Sequence, residues 1–211
     1  MKIAIDSPAG AGAGTQSKLL SEHYNLFYLD TGKFYRILAY NKLKQPDKFN
    51  ISNIKKQIKK IKLRDLNHKK LLSNEVGIEA AKISKNKTIR KLVDLIQRKY
   101  AYKPPKKYKG SCLDGRDICT VIVPDADIKL FITANLKTRV LRRFKELKVK
   151  NKKITYEEVL KSIKNRDKSD INRKISPLKK TDDSILINTT NLSIRRCFLK
   201  IKKIIDKKIN I

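Results

Sequence analysis

The sequence has little of what a disulfide-linked, zinc-binding or membrane-spanning protein needs. Its three cysteines, Cys112, Cys119 and Cys197, are odd in number and lack the spacing of a metal site. We therefore expect reduced thiols in a cytoplasmic protein, with Cys112 as a small core residue. No run of about 18 apolar residues occurs, which excludes a membrane-spanning helix. The chain enters an apolar strand directly at Met1-Lys2-Ile3, so we expect no secretory signal.

Acidic side chains and histidines are also scarce. The two histidines, His23 and His68, stand in no motif, and we predict that both lie at the surface. Only 20 acidic residues oppose 52 basic ones, which gives a net charge of +32. Such a charge attracts polyanions, including nucleic acid and nucleotides. Two explanations stay open: a dedicated nucleic-acid surface, or an AT-rich coding sequence. The second is favoured because the lysines are spread over many segments without interleaved aromatic residues.

Apolar runs and helical periodicity alternate along the chain and predict an α/β fold around a parallel sheet. A chain of 211 residues with 40% hydrophobic residues can bury a real core as one domain. Residues 44–73 are rich in lysine and read as an insertion. Thr155 and Glu158 fit a capping box, and Asn74 fits a helix cap. Strands are predicted near 3–5, 26–29, 111–114, 128–132 and 184–187, and helices near 15–24, 33–43, 51–62, 75–84, 87–100, 135–148, 157–168 and 192–208.

Residues 7–15 read Ser-Pro-Ala-Gly-Ala-Gly-Ala-Gly-Thr and predict a phosphate-binding loop between the first strand and the first helix. Backbone amides in such a loop surround a phosphate, and the helix dipole favours its charge. The usual pattern has glycine, four residues, Gly-Lys and a hydroxyl residue. Here Ser7 replaces the first glycine and Ala13 replaces the lysine, while Thr15 supplies the hydroxyl. The loop therefore keeps its backbone cradle and lacks its point charge.

Charged residues follow the predicted strands, at the edge of an α/β sheet where ligands collect. After residues 26–29 comes the run from Asp30 to Arg36, whose arginine could bind a phosphate as a fork. Asp30 and Thr31 could equally cap a helix. After residues 111–113 come Asp114, Gly115, Arg116 and Asp117. The first of these aspartates could order water around Mg²⁺, and the following pair could bind a nucleotide.

A third cluster is cationic and predicts a lid made of two helices. Arg139, Arg142 and Arg143 lie on the first helix, and a lysine-rich turn at 148–153 leads to the second. Arg142 and Arg143 could each equally belong to a solvated helix face. At the end of the second helix, Arg166, Asp170 and Arg173 recur in a fixed pattern before Pro177-Leu178.

Taken in order, these motifs closely resemble bacterial cytidylate kinases over nearly the whole chain, up to the tail 187–194. The resemblance implies the P-loop nucleoside monophosphate kinase fold in a single domain, 1–211. Its parallel sheet would be flanked by helices and form a core of about 1–35, 85–135 and 180–211. A short NMP-binding insertion would occupy about 36–84, and a lid about 136–178.

The resemblance also implies an activity in pyrimidine nucleotide metabolism, namely transfer of the ATP γ-phosphoryl group to CMP or dCMP, which gives CDP or dCDP and ADP. Mg²⁺ would arrive with ATP, with no direct protein ligand and with Asp114 reached through water. We expect a monomer that binds nucleic acid only by nonspecific electrostatics. The implied ATP-binding residues are Ser7, Pro8, Ala9, Gly10, Ala11, Gly12, Ala13, Gly14 and Thr15. The implied CMP-binding residues are Asp30, Thr31, Tyr35, Arg36, Arg90, Arg116, Asp117, Arg166, Asp170 and Arg173. The implied catalytic residues are Arg116, Arg166 and Arg173.

Four departures from the family pattern bear on this reading. Ala81 stands where the family has a base-contacting serine, Asn188 replaces an aspartate, and the insertion is short. Ala13 affects catalysis directly, because one preorganised charge is worth about 10²–10³ in rate. We hypothesise that the lid arginines Arg139 and Arg142 replace part of that charge, as arginine fingers do. Two alternatives stay open: a related kinase with another acceptor, and a nucleotide-binding pseudoenzyme or basic RNA-associated protein without turnover.

Overall fold

A computed structural model describes residues 1–149 and 152–210 of the chain. Lys150 and Asn151, in the predicted lysine-rich turn of the lid, and Ile211, at the end of the predicted core, lie outside the described residues.

The sheet has five parallel strands in the order β2-β3-β1-β4-β5, which confirms the predicted α/β class. The central strand β1 pairs with β3 on one side and with β4 on the other, so its apolar residues are buried on both faces. Each predicted apolar run coincides with a strand to within about two residues. The strands are β1 Lys2–Asp6, β2 Phe27–Asp30, β3 Ser111–Gly115, β4 Ile128–Thr133 and β5 Ile185–Asn188.

Eight α-helices are present among the described residues, each within a few residues of its predicted position. The capping box is confirmed: Thr155 Oγ1 accepts from the Glu158 amide, and the Glu158 carboxylate accepts from the Thr155 amide. The cap predicted at Asn74 is wrong, because Ser73 Oγ accepts from the Val76 amide and Asn74 is already helical. The helices are α1 Ala13–His23, α2 Gly32–Lys44, α3 Ile51–Lys60, α4 Asn74–Ile83, α5 Lys87–Tyr102, α6 Leu136–Lys148, α7 Tyr156–Asn172 and α8 Ile194–Lys208.

The chain divides into two compact units. The first, Met1–Leu29 with Ala101–Ile211, contains the phosphate loop, most of the sheet and the helices of the predicted lid. In it, α6 packs on α7 through Val140, Val159 and Ile163. The second, Asp30–Tyr100, extends beyond the predicted insertion at both ends, and α2 packs on α4 within it.

The burial of the cysteines and the exposure of the histidines agree with the predictions made from the sequence. All three cysteines are buried and free, and both histidines are exposed. Burial raises the pKa of the Cys112 thiol to about 12, as expected for an inert core residue. Among the described residues, no helix combines the length and the apolar composition that crossing a membrane requires.

Candidate active site

The phosphate loop owes its shape to two glycines in left-handed backbone conformations. Gly10 has φ +76°, and a Cβ atom there would lie 3.0 Å from the Arg139 carbonyl oxygen, so a side chain would meet α6. Gly12 has φ +92° and precedes α1, and its carbonyl accepts from the Gln16 amide. These conformations turn the chain sharply from β1 into α1, as a phosphate cradle requires.

Arg139 on α6 supports this loop by a hydrogen bond to its backbone. Its side chain is buried, and its Nη1 donates to the Ala9 carbonyl at 3.0 Å and to Asp167 Oδ2 at 2.6 Å. The other oxygen of Asp167 accepts from the Ala9 amide at 3.3 Å, and Arg139 Nε donates to the Ala134 carbonyl. The carboxylate thus neutralises the arginine and holds the Ala9 amide, while the arginine holds the Ala9 carbonyl. In this arrangement Arg139 shapes the loop, and its charge is engaged with Asp167.

Arg142 places a cation beside the residue that precedes Ala13. Its Nη1 lies 3.9 Å from the position that a Cβ atom on Gly12 would take. Nη1 also donates to Thr189 Oγ1 at 2.9 Å, and Nη2 donates to the Thr189 carbonyl at 2.7 Å. The Thr189 hydroxyl in turn donates to the Ala11 carbonyl at 2.9 Å. The guanidinium is therefore held against the loop through a threonine that bonds to the loop itself.

Three arginines surround the buried carboxylate of Asp170. Arg116 Nε lies 2.8 Å from Asp170 Oδ2, Arg166 Nε lies 3.8 Å from the same oxygen, and Arg173 Nη1 lies 3.9 Å from Oδ1. Arg173 Nη2 is also 3.8 Å from Asp117 Oδ1. These three guanidinium groups and two carboxylates form what we call the arginine cluster. It is complementary to a phosphate group.

The charges of the arginine cluster stabilise one another against burial. Burial alone would raise the pKa of Asp170, but Arg116, Arg166 and Arg173 outweigh it, and the pKa is lowered. Burial likewise opposes the charge on Arg116, yet Asp170, Asp114 and Asp6 raise the pKa of its guanidinium. The carboxylate stays ionised at neutral pH and holds the three mutually repelling arginines together in a fixed geometry.

Asp6, the last residue of β1, is a fully buried carboxylate that sequence reasoning did not single out. Its Oδ1 accepts from the Ile118 amide at 2.8 Å and its Oδ2 from the Cys119 amide at 2.9 Å. Burial raises its pKa to about 6, assisted by the nearby charge of Asp117 and opposed by the two amide hydrogen bonds. The sequence signal was an ionisable residue at the end of an apolar strand, directly before the loop.

The raised pKa of Asp6 predicts a specific pH dependence of stability. Between about pH 4 and pH 6 the folded chain keeps a proton that the unfolded chain has released, so the contribution of this group falls as pH rises. A pKa raised from 3.8 to about 6 corresponds to about 3 kcal/mol over that window. Urea unfolding of the parent and of Asp6→Asn at several pH values measures it. The unfolding free energy of the parent minus that of Asp6→Asn should fall by roughly this amount from pH 4 to pH 6. A difference that does not change with pH contradicts the prediction.

The second unit brings together several predicted CMP-binding residues. Arg90 is buried, its guanidinium carbon lies 5.3 Å from the centre of the Tyr35 ring, and its Nε donates to the Ser84 carbonyl at 3.0 Å. Arg36 Nη1 donates to the Leu71 carbonyl at 2.6 Å, against the start of α4.

Asp30 and Thr31 lie at the start of α2, where a helix cap was the alternative to a ligand contact. Asp30 Oδ1 accepts from the Gly32 amide at 3.1 Å. The Thr31 side chain makes no capping bond, and its carbonyl accepts from Gln97 at 3.2 Å. The helix-start interpretation therefore fits Asp30 and does not fit the Thr31 hydroxyl.

Three functional positions escaped the sequence interpretation: Asp6, Asp167 and Thr189. Each acts on backbone groups that lie far away along the chain. Asp167 belongs to a recognised motif and Thr189 to the tail 187–194, but neither was assigned a role. Asp114 is beside the loop as predicted, with Oδ2 3.4 Å from the position of a Cβ atom on Gly14. Within residues 1–149 and 152–210, no group of three or more His, Cys, Asp or Glu side chains could hold a metal ion alone.

Comparison with known proteins gives a consistent result over nearly the full length. A family model described as cytidylate kinase matches residues 3–207. The chain is 40% identical to cytidylate kinase of Thermosipho melanesiensis, over 98% of this chain and 97% of the relative. It is 42% identical to cytidylate kinase of Bartonella tribocorum, over 93% and 90%. The crystal structure of an uncharacterized protein from Eubacterium ventriosum shares the fold, with a TM-score of 0.54, 19% identity and 97% coverage of both chains.

Proposed function

Since this chain belongs to the cytidylate kinase family, we propose that it phosphorylates CMP and dCMP with ATP through a phosphate loop that has no lysine. The observation that carries the proposal is the arginine cluster around Asp170. Arg116, Arg166 and Arg173 come from two distant segments and converge on one buried carboxylate. Burying several charged side chains together carries a desolvation penalty, which the binding of an anionic ligand at this cluster would offset.

The chemistry asks for positioning and charge neutralisation rather than for a strong base. An oxygen of the CMP phosphate, already anionic, attacks the γ-phosphorus of ATP. The new O–P bond forms as the bond to the β,γ-bridging oxygen breaks, and ADP leaves with the electron pair. No proton must be removed from the nucleophile, which agrees with the exposed position of both histidines. Arg116, Arg166 and Arg173 hold the acceptor phosphate in line.

The residues beside the loop fit a magnesium ion carried by ATP. Asp114, which lies beside Gly14 of the loop, offers a carboxylate oxygen of the kind that Mg²⁺ prefers and would act through water. When bound, the ion would neutralise charge on the β- and γ-phosphates. The loop amides orient those phosphates, and the helix dipole of α1 favours their charge.

Arg142 carries the positive charge that Ala13 lacks. Its guanidinium is fixed by Thr189 and lies beside Gly12, whereas the charge of Arg139 is engaged with Asp167. The two lid arginines, for which one common role was hypothesised, therefore receive different roles. Arg139 maintains the loop, and Arg142 acts on the transferred phosphate.

The residues assigned to CMP in the second unit support recognition of cytosine and sugar. The Arg90 guanidinium lies over the Tyr35 ring in a cation–π contact, so each side chain helps to fix the position of the other. Ala81 removes a hydroxyl from this unit, so base selectivity depends more on Arg90 here than in relatives with serine. Asp30, Thr31 and Arg36 complete the assigned set.

Coupled ADP release with ATP, Mg²⁺ and each of CMP, dCMP, UMP and AMP tests the proposal. We expect turnover with CMP and dCMP and at least tenfold lower kcat/KM with UMP and AMP. No turnover with any acceptor, together with tight nucleotide binding, would establish the pseudoenzyme instead. RNA binding that persists at physiological salt would establish the RNA-associated alternative, because nonspecific binding to this charge is lost between roughly 50 and 200 mM salt.

A further inference from the structure

The carboxylate of Asp6 connects the central strand of the sheet to the segment that bears two functional side chains. Asp6 pairs in register with Gly115 of β3, and its oxygens accept from the amides of Ile118 and Cys119. Arg116 and Asp117 lie between these two fixed points. Each end of that dipeptide is therefore tied to the same residue of β1, once through the sheet and once through the carboxylate.

Asp6 takes over a capping role that would otherwise fall to Asp117. A short π-helical turn, Ile118–Ile122, starts directly after Asp117, and its first amides have no partner within the turn. Asp117 occupies the capping position, but its own side chain does not cap. Because Asp6 satisfies those amides, the Asp117 carboxylate can lie 3.8 Å from Arg173. A local cap would have withdrawn it from the arginine cluster.

We infer that Asp6 is a positioning residue of the acceptor site: it fixes the turn at Ile118 and Cys119 and so sets where Arg116 and Asp117 meet the CMP. The inference rests on the proposed function, since it assigns those two side chains to the acceptor. Asp6 is fully buried, so we assign it an indirect effect on CMP.

A carboxylate suits this position better than any isosteric side chain. Ionised, it is acceptor-only and offers one oxygen to each amide. Asparagine of the same shape offers one acceptor and turns its NH₂ group toward the second amide, which leaves two donors facing each other. Protonation has a similar effect, because one oxygen becomes a hydroxyl donor. The groups that face Asp6 are Asp117, Cys119 and Arg116, and burial in the sheet raises its pKa to about 6.

The test compares Asp6→Asn with Asp127→Asn. Asp127 is a matched control because its carboxylate accepts from the Lys2 amide at 2.6 Å, at the opposite end of β1. We expect Asp6→Asn to lower kcat/KM for CMP about tenfold or more, with KM for ATP changed less than about twofold. Asp127→Asn should change neither parameter. An unchanged kcat/KM for CMP in Asp6→Asn, or an equal loss for both substrates, would overturn the inference.

A pH profile separates positioning from a general loss of structure. The CMP phosphate itself titrates near pH 6, but this effect is common to all variants and cancels in a ratio. The ratio of kcat/KM for CMP, parent over Asp6→Asn, should rise between pH 5 and pH 7.5 and then level off. A flat ratio contradicts the inference. Absence of CMP turnover in the parent would instead refute the proposed function, and CMP binding by calorimetry would then supply the same ratio.

A second measurement needs no variant and stays decisive if Asp6→Asn does not fold. In the parent protein, the backbone amide resonances of Ile118 and Cys119 should titrate with a midpoint near pH 6, because they bond to Asp6. The Nε–H resonance of Arg116 should move with the same midpoint. Movement of the two amides without movement of the Arg116 resonance would show that Asp6 holds the turn but does not position the arginine.

Discussion

Replacing Arg142 with glutamine is expected to lower kcat about 10²- to 10³-fold, with little change in KM for CMP. The guanidinium lies beside Gly12, at the point of the loop where Ala13 leaves no charge. A preorganised charge that meets the charge developing in the transition state is worth about this much in rate. Removing it should act on the chemical step rather than on binding of the acceptor, which lies with the arginine cluster.

The substitution Ala13→Lys, made in the parent and in Arg142→Gln, tests directly whether Arg142 replaces the missing lysine. In the parent, Ala13→Lys should raise kcat less than about tenfold, because Arg142 already neutralises the phosphates. In the Arg142→Gln background, the same change should restore kcat by about tenfold or more. Two substitutions that replace one another in this way are strongly non-additive in a double-mutant cycle. Equal gains from Ala13→Lys in both backgrounds would show that Arg142 does not replace the lysine.

Two controls distinguish charge from packing. Arg142→Lys keeps the charge but loses the fork that bonds to both oxygens of Thr189. It should retain more activity than Arg142→Gln. Lys145→Gln removes one exposed charge from the same helix and should leave kcat within about twofold, because its effect on the loop is screened by solvent. An Arg142→Gln enzyme as active as Lys145→Gln would contradict the prediction.

Local signals explain how much of the fold could be predicted. The capping box from Thr155 to Glu158 spans four residues, and each strand contains a short apolar run, so neighbouring residues determine both. The error at Asn74 also concerns a local signal. Ser73 and Asn74 are adjacent residues that are both good helix caps, and the leucines before them, Leu71 and Leu72, favour neither one as the cap.

The site was less predictable, since its support comes from residues that are far apart in sequence. The motif with Arg166, Asp170 and Arg173 could be recognised because its members lie within two turns of one helix and its cap. The contact of Asp6 with the Ile118 amide could not, since it joins a strand to a turn that begins more than 100 residues later. A guanidinium can bind a phosphate, a carboxylate or a carbonyl, so sequence could not reveal that Arg139 bonds to Ala9 and Asp167.

Replacing Arg166 with glutamine is expected to lower kcat/KM for CMP about 10²-fold, with KM for ATP changed less than about twofold. Arg166 Nε is 3.8 Å from Asp170 Oδ2, and the side chain is 38% exposed, so it can reach an incoming phosphate. The loss of one charge-assisted contact to the acceptor phosphate accounts for an effect of this size. Michaelis parameters for both substrates, each measured at saturation of the other, give the result.

The exposure of Arg166 also makes this substitution a clean one. A partly exposed ion pair contributes at most about 1 kcal/mol to folding, so the variant should unfold within a few degrees of the parent. Asp170 keeps Arg116 at 2.8 Å and Arg173 at 3.9 Å, so its buried charge is not left unpaired. Lys164→Gln removes an exposed charge from the same helix and should leave kcat/KM for CMP within about twofold. If Arg166→Gln behaved like Lys164→Gln, the acceptor phosphate would not be bound by the arginine cluster, and the phosphate-binding role proposed for its three arginines would have to be abandoned.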